Sequence, residues 1–137
     1  MILLDTNALI GLMAGRSFRP AARDAIREAT PDAGVLVSAT TAWEIGLLAT
    51  RTGRTRHMFQ PDARVWFADA VRMPGIRLLP FTDEMALEAA YLPGSFHADP
   101  SDRWLVATAR IAGVPLLTSD RAILAYADAG HVEAIAT

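Results

Sequence analysis

The chain has 137 residues, a formal net charge of −2, 52% hydrophobic and 20% charged residues, and no cysteine. This length predicts one domain over residues 1–137, and the composition supports a hydrophobic core and argues against disorder. The lack of cysteine excludes disulfides, thiol catalysis and cysteine-based zinc sites, and it favours a cytoplasmic location.

Two further features narrow the range of functions. No apolar run approaches the roughly 18 residues of a membrane span, and Asp5 interrupts the apolar start, so we expect neither a membrane segment nor a secretory signal. All 13 basic residues are arginine. A P-loop lysine, a Schiff-base lysine and a lysine general base are therefore excluded.

Short apolar segments alternate with helical patterns along the chain, and this alternation predicts βαβ units in a parallel sheet covered by helices on both faces. The predicted strands are Ile2–Leu4, Val35–Val37, Ile76–Leu79, Pro115–Leu117 and Val132–Ile135. The predicted helices are Thr6–Ala14, a segment after Pro20 reaching Glu28, one that Ser38 opens and Gly53 closes, Pro61–Met73, Asp83–Leu92, Pro100–Ala112 and Asp120–Ala129.

Four acidic residues occupy similar places in this pattern, namely Asp5, Glu44, Asp102 and Asp120. Each follows a predicted strand or lies near the start of a predicted helix. In open parallel sheets, ligands bind outside the carboxyl ends of the strands. We therefore expect the four carboxylates to converge at one edge of the sheet.

Crowded carboxylates repel one another, so some of them stay protonated unless a cation joins them. Magnesium and manganese prefer carboxylate and water oxygens as ligands. Such an ion can activate water and stabilise charge on a phosphodiester. With no lysine or cysteine in the chain, a divalent metal is the most credible catalytic element.

Each acid also has a purely structural interpretation. Asp5 and Asp120 could act as helix N-caps. Asp102 could complement the dipole of its helix, which Asp99 caps ahead of Pro100. Glu44 could be a solvated helix residue. Taken together, four such positions at one sheet edge favour a shared site.

The segments that carry these acids resemble a known family. Asp5–Ile10, Ser38–Ile45, His97–Arg110 and Leu117–Arg121 together resemble a PIN domain, in the order and spacing of that family. The similarity extends from Ile2 to about Tyr126, and the nearest likeness is to VapC-type ribonuclease toxins of toxin–antitoxin pairs.

This resemblance implies an α/β fold of three α/β/α layers around a five-stranded parallel sheet, and a Mg²⁺- or Mn²⁺-dependent endoribonuclease that cleaves RNA. It implies that Asp5, Asp102 and Asp120 hold the metal, and that Glu44 holds the metal or positions the attacking water. It also implies homodimers and a small antitoxin protein that blocks the site. By the same resemblance, Thr6, Asn7, Thr118 and Ser119 form a supporting shell, and Asp99 is a cap or outer acid.

The chain departs from this subgroup after Glu44, where a lysine-bearing run is usual and arginines stand instead. Arg51, Arg54, Arg56 and His57 form the densest basic patch, which either contacts the RNA backbone or is a solvated turn. The three histidines are too scattered along the chain for a zinc site, and we expect His97 to be a turn residue near the cleft.

Two other functions fit parts of the pattern. One is a non-catalytic PIN-like module that binds RNA. The other is an aspartyl-phosphate phosphatase with Asp5 as nucleophile, although such enzymes usually need a second acid where Asn7 stands, and a lysine.

Overall fold

A computed structural model describes residues 1–51 and 53–137, without the side chains of Arg54 and Arg56. Its centre is a sheet of five parallel strands in the order β3-β2-β1-β4-β5. The strands are β1 (Ile2–Leu4), β2 (Val35–Ser38), β3 (Ile76–Leu79), β4 (Leu116–Thr118) and β5 (Ala134–Ala136).

Helices fill the connections between the strands, as parallel pairing requires. They are α1 (Thr6–Met13), α2 (Pro20–Ala29), α3 (Ala39–Thr50), α4 (Ala63–Val71), α5 (Asp83–Ala90), α6 (Pro100–Ala112) and α7 (Arg121–Asp128). Short 3-10 helices lie at Thr30–Asp32 and Arg54–His57. Gly113 ends α6 with a φ of 64°, a left-handed conformation that glycine adopts without steric cost.

Successive side chains of a strand point to opposite faces, and this alternation builds two cores. Leu3, Leu36 and Leu116 pack against α5, α6 and α7 on one face of the sheet. Leu4 and Leu117, with their neighbours on β2, pack against α1, α2 and α4 on the other face. The predicted α/β class, with three α/β/α layers and a five-stranded parallel sheet, is confirmed.

Several predicted boundaries differ from the observed ones for local reasons. Strand β4 begins at Leu116 because Pro115 has no N–H group for the ladder, although its carbonyl accepts from the Leu3 amide at 2.9 Å. Helix α4 begins at Ala63 rather than Pro61 because the Asp62 side chain caps it. Helix α3 ends at Thr50, where the next residue turns extended, and not at Gly53.

No helix in the described ranges, residues 1–51 and 53–137, is long and apolar enough to cross a membrane.

The fully buried Leu117 tests the packing beneath the sheet. We expect Leu117→Ala to lower the free energy of unfolding by about 2–5 kcal/mol, because it leaves a cavity in a core that cannot collapse freely. Leu87→Ala is the matched control, since that side chain is 61% exposed and its loss should change stability by less than about 0.5 kcal/mol. Urea unfolding measures both, and equal losses would contradict the assigned core.

A candidate acidic active site

A cleft of about 170 Å³ opens at the carboxyl ends of β1 and β4. All four predicted acids line it, although they come from four separate segments of the chain. The lining residues are Asp5, Thr6, Asn7, Glu44, Leu47, Leu48, Arg51, Asp102, Leu105 and Asp120. The predicted convergence of the carboxylates therefore occurs in the structure.

Asp5 follows β1 and is almost completely buried, with 6% of its surface exposed. It is also the N-cap of α1, because its Oδ1 accepts a hydrogen bond from the Ala8 amide at 2.6 Å. Burial raises the pKa of Asp5, and the nearby Glu44 carboxylate raises it further. Hydrogen bonds from the Thr118 hydroxyl and the Ala8 amide act in the opposite direction.

Glu44 lies in the second turn of α3, after the Ser38 side chain has capped that helix. The adjacent Ile45 is completely buried against Ile10 of α1, which fixes the rotation of α3 above the sheet. The Thr6 hydroxyl donates a hydrogen bond to Glu44 Oε2. This contact joins the first residue of α1 to the acid of α3 inside the cleft.

Asp102 lies in the first turn of α6. Asp99 is the N-cap of that helix, and its Oδ1 accepts from the Ser101 amide at 3.0 Å and the Asp102 amide at 3.3 Å. Burial, and after it the carboxylates of Asp120, Asp99 and Glu44, raises the pKa of Asp102 to about 6, although His97 acts in the opposite direction. The negative charge of Asp102 is therefore repelled by three neighbouring carboxylates.

Asp120 follows β4 and caps α7 by accepting from the Ile123 amide at 2.9 Å. Its own amide donates to the hydroxyl of the buried Thr118 at 2.9 Å. Thr118 thus contacts the polar groups of both Asp5 and Asp120. The capping interpretation holds for Asp5, Asp99 and Asp120, and it is compatible with their place in or beside the cleft.

His97 lies nearer to the acids than its place in the sequence suggested. One of its ring nitrogens and one carboxylate oxygen each from Asp102 and Asp120 all lie within 4.8 Å of one another. The nearest pair is His97 Nε2 and Asp102 Oδ2, at 3.3 Å. The structure therefore adds an imidazole to the acidic group, whereas the sequence predicted only that His97 lies in a turn near the cleft.

Arg103 is a second residue that sequence reasoning did not single out. Its guanidinium donates to four backbone carbonyls at 2.8–3.3 Å, those of Ala89 and Ala90 at the end of α5 and of Phe96 and His97 in the following loop. The only sequence signal was its position directly after Asp102. Arg103 thus anchors the loop that carries His97 to the start of α6.

Of the predicted basic patch, Arg51 lines the cleft and His57 does not. Arg51 follows α3, while His57 is exposed on the 3-10 helix. The side chains of Arg54 and Arg56 lie outside the described residues.

The donor set of the cleft fits a hard divalent cation. Three aspartates and a glutamate supply oxygen atoms. Burial, and after it the neighbouring carboxylates, raises the pKa of Asp5 and of Asp102, so their charged forms are disfavoured without a cation. A divalent ion bound there favours the ionised carboxylates. Within the described residues, one ring nitrogen of His97 and one carboxylate oxygen each from Asp102 and Asp120 lie within 4.8 Å of one another, which is close to the roughly 4.2 Å between ligands on opposite sides of one small ion.

The fold and the cleft define an α/β protein with an acidic site at the carboxyl edge of a parallel sheet. Residues 2–129 match the family model described as PIN domain. The chain therefore belongs to the PIN domain family, as its motifs predicted. No curated protein sequence matches the chain.

Solved structures resemble the whole chain. FitAcB from Neisseria gonorrhoeae is 22% identical, with 98% of this chain and 96% of that chain covered and a TM-score of 0.63. VapBC2 from Rickettsia felis, bound to a DNA fragment from their promoter, is 11% identical, with 99% and 98% covered and a TM-score of 0.66. VapBC-5 from Mycobacterium tuberculosis, a member of the VapBC family of toxin–antitoxin systems, is 20% identical, with 98% and 97% covered and a TM-score of 0.60. At these identities the likeness shows a shared fold.

The raised pKa of Asp102 predicts that its charge destabilises the ion-free fold. An unfolded aspartate has a pKa near 3.9, so between about pH 4 and pH 6 the folded chain binds more protons and loses stability as pH rises. We expect Asp102→Asn to raise the free energy of unfolding by roughly 1–3 kcal/mol at pH 7 in the presence of a chelator, and by little at pH 4.

Urea unfolding at the two pH values measures this effect. Asp69→Asn, which changes an exposed acid on α4, is the control and should alter stability by less than about 0.5 kcal/mol at either pH. A loss of stability at pH 7 for Asp102→Asn, or an equal gain at both pH values, would count against the assigned environment.

Proposed function

We propose that this protein is a Mg²⁺- or Mn²⁺-dependent endoribonuclease, the toxin of a toxin–antitoxin pair. The observation that carries the proposal is the convergence of Asp5, Glu44, Asp102 and Asp120 in one cleft of a PIN domain. Structural neighbours described as VapBC and toxin–antitoxin complexes support the toxin role.

Asp5, Asp102 and Asp120 would hold the ion, directly or through water. Asp5 and Asp120 are held in place by the helices they cap, so their side chains are oriented before an ion binds. A bound divalent ion supplies Lewis-acid stabilisation of the negative charge that builds up on the phosphate. Thr6 and Thr118 orient the acids around it through their hydroxyls.

Glu44 is the residue we assign to the attacking water. The Thr6 hydroxyl donates a hydrogen bond to Glu44 Oε2. The second carboxylate oxygen of Glu44 can therefore accept a proton from the water. In hydrolysis the water oxygen bonds to phosphorus, one bridging P–O bond breaks, and the water proton passes to the Glu44 carboxylate. The departing ribose oxygen takes its proton from solvent.

The basic residue at the mouth of the cleft suggests how the RNA backbone is held. Arg51 lines the same cleft as the four acids, and its guanidinium is suited to gripping a phosphate through two hydrogen bonds. We propose that Arg51 contacts a phosphate next to the scissile one. This contact orients the chain without reading its sequence.

A protein partner is the third part of the proposal. Trp43 and Leu47, one turn apart on α3, are 49% and 36% exposed, and Leu47 also lines the cleft. An antitoxin segment that covers this apolar strip would close the cleft to RNA. We also expect the toxin to form homodimers and to act in the cytoplasm.

Substitution of the acids by isosteric amides tests the proposed reaction. We expect Asp5→Asn, Glu44→Gln and Asp120→Asn each to lower the rate of RNA cleavage by on the order of 10²-fold or more, because each removes a charge from the reacting centre while conserving shape. Cleavage of labelled RNA in Mg²⁺ or Mn²⁺ measures the rates, and a chelator should abolish activity.

Asp69→Asn is the matched control, since it removes an exposed acid on α4 that does not line the cleft, and its activity should stay within about twofold of the unsubstituted protein. Binding of RNA without cleavage under all conditions would favour the non-catalytic RNA-binding module instead. Full activity in Asp5→Asn would refute the proposed site.

Replacement of Arg51 tests the phosphate contact. We expect Arg51→Ala to weaken binding of single-stranded RNA and to reduce the slope of log K against log salt by about 0.7, the value for one lost phosphate contact. Measurements use the inactive Glu44→Gln background, with Arg72→Ala, an exposed arginine at the end of α4, as the control. An unchanged slope would remove Arg51 from the RNA interface.

A further inference from the structure

The imidazole of His97 lies beside the acidic cleft in a fixed position. Its ring stacks on Phe96, with ring centroids 4.3 Å apart and an interplanar angle of 29°. The Arg103 guanidinium donates to the carbonyls of both Phe96 and His97, at 3.1 and 3.2 Å. The backbone and the ring plane of His97 are therefore both restrained, and the ring presents Nε2 to the acids.

Two roles are open to an imidazole so close to two carboxylates. His97 Nε2 could bind the same ion as Asp102 and Asp120, because a ring nitrogen of His97 and a carboxylate oxygen of each acid lie within 4.8 Å of one another and Nε2 is 3.3 Å from Asp102 Oδ2. Alternatively, Nε2 could carry a proton and direct it at Asp102 Oδ2, which lies at an ion-pair distance of 3.3 Å, within reach of a hydrogen bond. The two roles require opposite tautomers of the neutral ring, since a nitrogen that binds a metal has no proton.

The hydrogen bond at the other ring nitrogen, Nδ1, distinguishes the role of metal ligand from that of hydrogen-bond donor. The Asp99 amide donates a hydrogen bond to His97 Nδ1 at 3.3 Å, so Nδ1 offers its lone pair and carries no proton. A neutral ring in that arrangement has its proton on Nε2. Ligation through Nε2 would move this proton to Nδ1, where it would face the amide hydrogen of Asp99. The hydrogen-bond pattern therefore favours the donor over the ligand.

We propose that His97 is a positioning residue that donates its Nε2–H to Asp102 Oδ2 and so orients the Asp102 carboxylate toward the divalent ion. This inference rests on the proposed metal-dependent function. Asp102 is surrounded by Asp99, Asp120 and Glu44, which repel its charge. An N–H group on one of its two oxygens opposes that repulsion and leaves the other oxygen for the ion.

Ion affinity in a set of His97 variants tests this role. We expect His97→Ala and His97→Asn to weaken Mn²⁺ binding by roughly tenfold or more, the usual effect of losing an outer partner of a ligand. His97→Gln should remain within about threefold of the unsubstituted protein, because a glutamine amide can place an N–H near the position of Nε2. The fraction of free Mn²⁺, read from its electron paramagnetic resonance signal, gives each affinity.

His57→Ala is the matched control, because that histidine is exposed on the 3-10 helix and belongs to none of the contacts above. Unchanged Mn²⁺ affinity in His97→Ala would overturn the positioning role. So would a strong ¹⁴N hyperfine coupling to bound Mn²⁺ that is present in the unsubstituted protein and lost in His97→Ala, since it would make His97 a direct ligand.

A second measurement does not depend on the ion. Long-range ¹H–¹⁵N spectra of the ion-free protein should show the neutral His97 ring protonated on Nε2, and protonation on Nδ1 would overturn the assignment. The outcomes also separate this inference from the proposed function. Mn²⁺ binding that depends on His97, without RNA cleavage, would refute the nuclease and retain the positioning role. Mn²⁺-dependent cleavage with unchanged affinity in His97→Ala would do the reverse.

Discussion

The parallel register of β1 between β2 and β4 is the constraint on which the site depends. Leu4 is paired with Val37 on one side and with Leu117 on the other, so the three strands end within one residue of the same level of the sheet. The polar residues that follow each strand are therefore neighbours in space, although more than 100 positions separate the first from the last. A slip of one residue would turn these side chains toward the opposite face and disperse the acids.

The same carboxylates perform two tasks at this edge. Asp5 and Asp120 each accept an amide hydrogen bond from the first turn of a helix, and each also contributes charge to the cleft. Capping is favourable, whereas the burial of Asp102 and the crowding of charge around it are not, and both raise the pKa of that residue. The carboxylates that cap α1 and α7 therefore stabilise these helices, although they also add to the repulsion between charges in the cleft.

The order of the strands along the chain and the layers could be predicted from local signals, and the four acids from their places at strand ends and helix starts together with the resemblance to PIN domains. Asp5 directly follows the apolar strand β1, and Asp120 comes two residues after β4. The alternation of strands and helices predicts that the carboxyl ends of these parallel strands lie at one edge of the sheet. The start of β4 depended on the missing N–H of Pro115, an effect of one residue that periodicity does not resolve. His97 and Arg103 could not be assigned, since their contacts arise only when the loop between α5 and α6 folds back on the start of α6.

The anchoring of that loop has a consequence for how a ligand is received. The Arg103 guanidinium, in the first turn of α6, hydrogen-bonds to the end of α5 and to the carbonyl of His97, so the loop beside the cleft is tied to both helices in the folded chain. The conformational entropy of the loop is lost when the chain folds, so it does not weaken the binding of a ligand. A ligand therefore meets a preorganised surface on the α6 side, and its affinity reflects direct contacts there rather than the cost of assembling them.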